Sequence, residues 1–176
     1  MVERDRGDEI AAKRFLGPEF MLWLWHRSDV ADGQHVVDDE NIELHFDDQL
    51  KLEAHLAEAE QSALKGGAPA HSPEAHQALQ VGKRVAKAKL RLMKVEREWI
   101  FTLDAQTFRM SGVKTPTILT RDEDEPLFER LFLIEELEAA LFGLYQLFLN
   151  IRLDSDWEKT RQALSDWIDL PFGPNA

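Results

Sequence analysis

Residues 83–104 alternate with a period of two, and that alternation limits the possible folds more than any other feature of the chain. Ala86, Ala88, Leu90 and Leu92 share one side of an extended segment, with Lys87, Lys89, Arg91 and Met93 on the other. Trp99, Phe101 and Leu103 repeat the pattern on a second segment, and the break at residues 94–97 supplies the turn. A two-stranded antiparallel ribbon with one apolar face is marginal alone in water, so other elements must cover that face. The chain has to be built around a half-buried antiparallel sheet.

The cover reads as helical. Residues 126–153 form the longest helical pattern, with Leu127, Leu131, Ile134, Leu137, Leu141, Leu144 and Phe148 at spacings of three and four. Phe128, Phe132, Leu133, Tyr145 and Leu149 widen that stripe past the roughly 100° one interface needs. Ser155-Asp-Trp-Glu158 has the spacing of a capping box and opens a last helix carrying Trp157, Leu164, Trp167 and Ile168. Near the start of the chain, Gly17 ends a polar lead-in and Pro18 suits the first turn of a short helix. That helix lies within Phe15–Arg27, and its residues Phe20 to Trp25 are apolar around the whole circumference and demand cover on several sides. Ser72-Pro73-Glu74 opens another short helix, with Ser72 as N-cap, ending near Gln80.

More strands are expected in the acidic tract at residues 29–60, which holds eleven acids and the single base Lys51. Residues 42–46 and 49–53 alternate, and Asp47-Asp48 between them reads as the turn of a hairpin. Residues 54–64 suit a helix by composition and a third strand by position; the strand is the reading adopted. A short strand fits residues 107–110, and Pro116 with the run Asp122-Glu-Asp-Glu marks a linker at 113–124. The order helix, strands, helix, strands, two helices gives an α+β fold, a small antiparallel sheet packed against a long C-terminal helix pair. A chain of 176 residues supports one such core. The expected division is a flexible lead-in at 1–14, one domain at 15–170 and a tail at 171–176. Within the domain, 15–112 is mostly sheet with two short helices, and 124–170 holds the C-terminal helices.

Catalytic chemistry is not legible. With no cysteine there is no disulfide, thiolate metal site or cysteine nucleophile. There is also no phosphate loop, no Gly-x-Gly-x-x-Gly, no Gly-x-Ser-x-Gly and no His-Glu-x-x-His. His26, His35, His45, His55, His71 and His76 are scattered, and read as solvated or edge residues. Asp38, Asp39, Glu40, Asp47 and Asp48 would need convergence with a basic cleft to serve a magnesium-dependent nuclease, and read as solvated turns. No stretch reaches the roughly 18 apolar residues of a membrane span, so a cytoplasmic protein without cofactor or membrane partner is expected.

The charge is uneven. Net charge is −12, which argues against indiscriminate binding to nucleic acid. Yet residues 83–97 carry seven bases (Lys83, Arg84, Lys87, Lys89, Arg91, Lys94 and Arg97) and one acid, Glu96. Period two sets Lys87, Lys89 and Arg91 about 6.6 Å apart along one side of a strand, a spacing able to follow a phosphate backbone without reading its bases. The same row also suits a solvent-facing strand whose lysines blunt an edge or pair with the acidic tract.

The segment Phe15-Leu-Gly-Pro-Glu-Phe-Met-Leu-Trp-Leu-Trp-His-Arg-Ser resembles a Phe-Leu-Gly-x-Glu-Phe-Leu-x-Trp-Leu-Trp-x-x-Ser element of RdgC-like recombination-associated proteins. Weaker likenesses follow in Ser72-Pro-Glu-Ala, in the basic strand, in Glu98-Trp-Ile-Phe-Thr-Leu-Asp, in Val113-Lys-Thr-Pro and in the helix after Glu129. They span roughly residues 15–168 and match the C-terminal part of longer family members. The resemblance implies a non-enzymatic, nucleoid-associated, sequence-independent DNA-binding protein that forms a ring-shaped dimer and modulates recombinase filaments. Lys83, Arg84, Lys87, Lys89 and Arg91 are then the residues expected to face DNA. The competing expectation is a dimerisation or docking module without DNA binding, and a metal-dependent nuclease is the third class. The over-wide stripe on 126–153, together with Trp23 and Trp25, points to a homodimer or a larger protein partner, with Trp23, Trp25, Phe128, Phe132 and Tyr145 as contacts.

Overall fold

In the computed structural model, residues 3–54, 61–120 and 125–171 are described. The acidic run at 122–124 and all but the first residue of the expected tail lie outside them. The α+β class and its antiparallel sheet are as the patterns require. Helix α1 (Glu3–Val30) is followed by strands β1 (Gln34–Val37), β2 (Glu40–Ala54) and β3 (Gln61–Lys65), then helix α2 (Pro73–Gln80). Strands β4 (Lys83–Lys94), β5 (Arg97–Asp104) and β6 (Met110–Lys114) lead into helices α3 (Glu125–Leu153) and α4 (Trp157–Asp169). The sheet runs β1-β2-β4-β5-β6, with β3 also paired to β2, and every pairing is antiparallel.

Two two-residue turns hold the hairpins. Asp38-Asp39 joins β1 to β2 with φ of 50° and 64°, and Val95-Glu96 joins β4 to β5 with φ of 54° and 29°. Positive φ at both central residues matches the right-handed twist of the flanking strands. Asp tolerates that region; β-branched Val95 is strained in it.

The hairpin expected around Asp47-Asp48 is instead one continuous strand, β2. Its partner changes from Leu90 at Phe46 to Ala88 at Leu50, so residues 47–49 bulge out of register. The bulge adds an even number of residues, which keeps Phe46 and Leu50 on the same buried face. A second irregularity, between Lys51 and Leu52, brings Val85 rather than Ala86 to the interior beside Ala88, Leu90 and Leu92. The last short strand lies at Met110–Lys114 rather than 107–110, because Asp104 Oδ1 gathers the amides of Gln106 and Thr107 into a turn first. Of 54–64, Ala54 ends β2 and 61–64 lie in β3, both strand, and 55–60 lie outside the described residues.

Helix α1 begins at Glu3, so the polar lead-in is helical from there, and Pro18 lies inside the helix rather than in its first turn. Phe20 to Trp25 are all buried because α1 lies along β2 and β4 on one side and meets α3 and α4 on another. Gly17 makes this possible: a Cβ at that position would overlap the backbone carbonyl of Ala105. Ser72 caps α2 as expected, its hydroxyl accepting from the Ala75 amide at 3.1 Å. The capping box at Ser155–Glu158 does not form. Asp154 takes that role, accepting from the Asp156 amide through its carboxylate and the Trp157 amide through its carbonyl, while Glu158 pairs with Arg161.

Candidate functional site

The outward face of β4 is the first candidate, and its cations are not bare. Lys89 Nζ lies 3.2 Å from an Asp47 carboxylate oxygen and 2.8 Å from one of Asp48. Arg91 reaches Glu98 at 2.6 Å and Asp47 at 3.6 Å, and Lys87 reaches Asp104 at 3.7 Å. Lys94 pairs with Glu40 and Glu136, and Arg97 with Glu136. The bulge in β2 is what delivers two adjacent carboxylates to one lysine. The hydrogen bond from Lys89 holds the Asp48 carboxyl below its usual range, and the bonds to Asp48 and Asp47 push the Lys89 ammonium up. Lys83 and Arg84 lie beyond the second irregularity, which sets Arg84, opposite Glu53, on the face of the row and Lys83 on the side of Val85. Lys83 Nζ donates to Ser62 Oγ at 2.9 Å, and Arg84 donates to the Lys83 carbonyl at 2.9 Å. Thus Asp47 and Asp48, read as a solvated turn, are counterions of the basic strand, and β4 is a central strand rather than an edge. Lys87, Lys89 and Arg91 therefore face solvent as ion pairs rather than as bare cations.

The second candidate is helix α3, which carries two apolar arcs. Leu133, Leu137, Ala140, Leu141, Leu144, Tyr145 and Phe148 form the buried arc. Leu127, Phe128, Leu131 and Phe132 lie within an arc of about 140°, at 100° per residue, and are 63, 67, 48 and 60 % exposed. A helix with one interface has no use for the second arc, and four large apolar side chains together within two exposed turns mark a contact surface. Glu129, beside them, ties the preceding segment down by accepting the Leu119 and Thr120 amides at 2.8 and 2.9 Å. Further along the helix a cavity of about 470 Å³ opens beside Phe108, Met110, Ala139 and Phe142.

Of the five expected oligomer contacts, only Phe128 and Phe132 are at the surface. Trp23, Trp25 and Tyr145 are 3, 1 and 0 % exposed, so they are core residues and not contacts. Trp25 Nε1 donates to the Ala70 carbonyl, Trp23 packs on Phe148 and His35, and Tyr145 sits edge-on to Phe20 and Phe108. Their demand for cover is met within the chain. Leu127 and Leu131, read as part of the core stripe, belong to the exposed arc; the excess width of the stripe was the signal that a second arc exists.

Two histidines also depart from expectation. His76 is buried with Nε2 3.0 Å from the Leu170 carbonyl oxygen, and His35 is 3 % exposed. Among the described residues, neither ring nitrogen of His35 has a hydrogen-bond partner. Burial, then the charges of Arg27 and His45, lowers its pKa to about 4. No group of three potential ligands among the described residues is placed to hold a metal ion, and no described helix is long and apolar enough to cross a membrane.

No family model and no curated protein matches this chain.

Proposed function

We propose that this chain is a non-catalytic protein-interaction module, and that residues 127–132 of α3 pair with the same segment of a second copy. The observation that supports this reading is the exposed arc of Leu127, Phe128, Leu131 and Phe132, which the fold's own core leaves unused. An isologous dimer needs one patch that complements itself, and a short apolar arc on a rigid helix meets that need when two helices cross antiparallel about a two-fold axis. Aromatic side chains at the centre of such a patch carry most of the binding free energy.

Sedimentation over a concentration series tests it. The wild-type chain is expected to associate reversibly, and Phe128→Asp/Phe132→Asp to raise the dissociation constant roughly thirtyfold or more, the effect of losing about 2 kcal/mol. A wild-type monomer at high micromolar concentration overturns self-pairing. The competing reading, sequence-independent DNA binding through β4, has to displace the carboxylates already paired with Lys87, Lys89 and Arg91. It predicts retardation of unrelated duplexes that falls steeply with salt and is lost in Lys87→Glu/Lys89→Glu/Arg91→Glu. The interaction reading predicts no retardation even at low salt.

A further inference from the structure

Between the start of β6 and the middle of α3 lies the cavity of about 470 Å³ beside Phe108 and Met110. That size falls within the roughly 300–1,000 Å³ of small-molecule sites, which are mostly apolar with a few convergent polar groups. Its α3 wall includes the stripe Glu135, Glu138, Ala139 and Phe142, whose spacings of three and four put all four on one helix face. All four are exposed, Phe142 by 44 %. Charge at the cavity has one sign: no lysine, arginine or histidine is among its described lining residues. Elsewhere on α3, Glu129 is spent on the Leu119 and Thr120 amides, and Glu136 on Lys94 and Arg97. Among the described residues, neither the Glu135 nor the Glu138 carboxylate has an ion-pair or hydrogen-bond partner. Like charges three residues apart on a helix repel, so this pair costs stability until a cation joins it.

We propose that this cavity binds a small organic ammonium ion, its charge held between Glu135 and Glu138 and its apolar body set against Phe108, Met110 and Phe142. The ammonium relieves the repelling pair, and aromatic rings attract a cation through their quadrupole. A divalent metal ion needs more ligands than two carboxylates, and no third is placed to help among the described residues. A neutral apolar molecule would leave the carboxylates opposed. The site stands on the cavity and its charge, not on the pairing of residues 127–132.

The test uses phenethylamine and hexylamine as probes at pH 7.5, where alkylamines are protonated. The matching alcohols, 2-phenylethanol and 1-hexanol, and ammonium chloride are the controls. Saturable shifts of the Glu135, Glu138 and Ala139 backbone amides in NMR spectra are expected with the amines, half-saturating at about 1 mM or below. The alcohols, ammonium chloride and the Glu135→Gln/Glu138→Gln variant are each expected to give binding about tenfold weaker or worse. Ala139→Leu, at an exposed helical position in the cavity wall, is expected to block binding while leaving the melting curve in place. Phe128→Ser/Phe132→Ser is expected to bind the amines as the wild type does, which separates this site from self-association. Absence of saturable shifts, alcohols or ammonium chloride binding as well as the amines, or undiminished binding by either the Gln variant or Ala139→Leu would each overturn the proposal. Loss of binding in the Ser variant would also overturn it, since the probe would then sit on the exposed arc.

Discussion

Part of this fold's loss of stability on acidification should come through one side chain, His35, and replacing that ring by phenylalanine should remove that part. With a folded pKa lowered from 6.5 to about 4, the unfolded chain binds a proton across that window while the folded chain does not. Stability therefore rises with pH between about 4 and 6.5, and the His35 contribution, complete above 6.5, is lost as pH falls. Each pH unit is worth about 1.4 kcal/mol, so the loss is about 2 kcal/mol by pH 5 and about 3 kcal/mol by pH 4. Against the 5–15 kcal/mol typical of a domain this is large. Urea unfolding of wild type and His35→Phe at pH 7.5 and 5.0 measures it. The wild type should lose about 2 kcal/mol more than the variant between the two values. His26, held down by burial and then by Arg27, acts with the same sign but is present in both proteins and cancels in the difference. The lowered carboxyls of Asp48, Asp104, Glu129 and Glu158 cancel likewise. Parallel pH dependences for the two proteins, or a His35 ring that titrates near 6.5 by NMR, would refute the reasoning.

Gly17→Ala should destabilise by about 3 kcal/mol or more, because its methyl collides with the Ala105 carbonyl and α1 must lift from the sheet; thermal unfolding measures this. Val95→Asn/Glu96→Gly should stabilise by about 1 kcal/mol, since both residues sit at positive φ in a two-residue hairpin turn; denaturant midpoints at unchanged m-value check it. Trp99→Phe should cost about 1–3 kcal/mol by leaving the buried Leu133 carbonyl without its indole donor at 2.9 Å, again read by unfolding. Asp47→Asn/Asp48→Asn should uncover Lys89, while Arg91 keeps Glu98, and give stronger salt-sensitive retention on a polyanion column than the wild type; equal retention would refute the masking of β4.

Much of the element inventory was legible from the chain alone, because it rests on local periodicity and end signals; β1, the early start of α1 and the continuity of β2 were not. The alternation at 83–104 specified β4 and β5, the three–four spacing specified α3, and Ser72-Pro73 specified the start of α2. A period says which side of an element is apolar; it does not say what covers that side. Trp23, Trp25 and Phe128 are equally apolar as letters, yet the first two lie under α3 and α4 while Phe128 faces water. Nor does a run of bases show whether it is compensated. Lys89 meets Asp48 from 41 residues away only because β2 runs straight through a bulge where the sequence suggested a turn. Coulomb energy depends on distance in space and on exposure to solvent, and both quantities exist only once the sheet has closed.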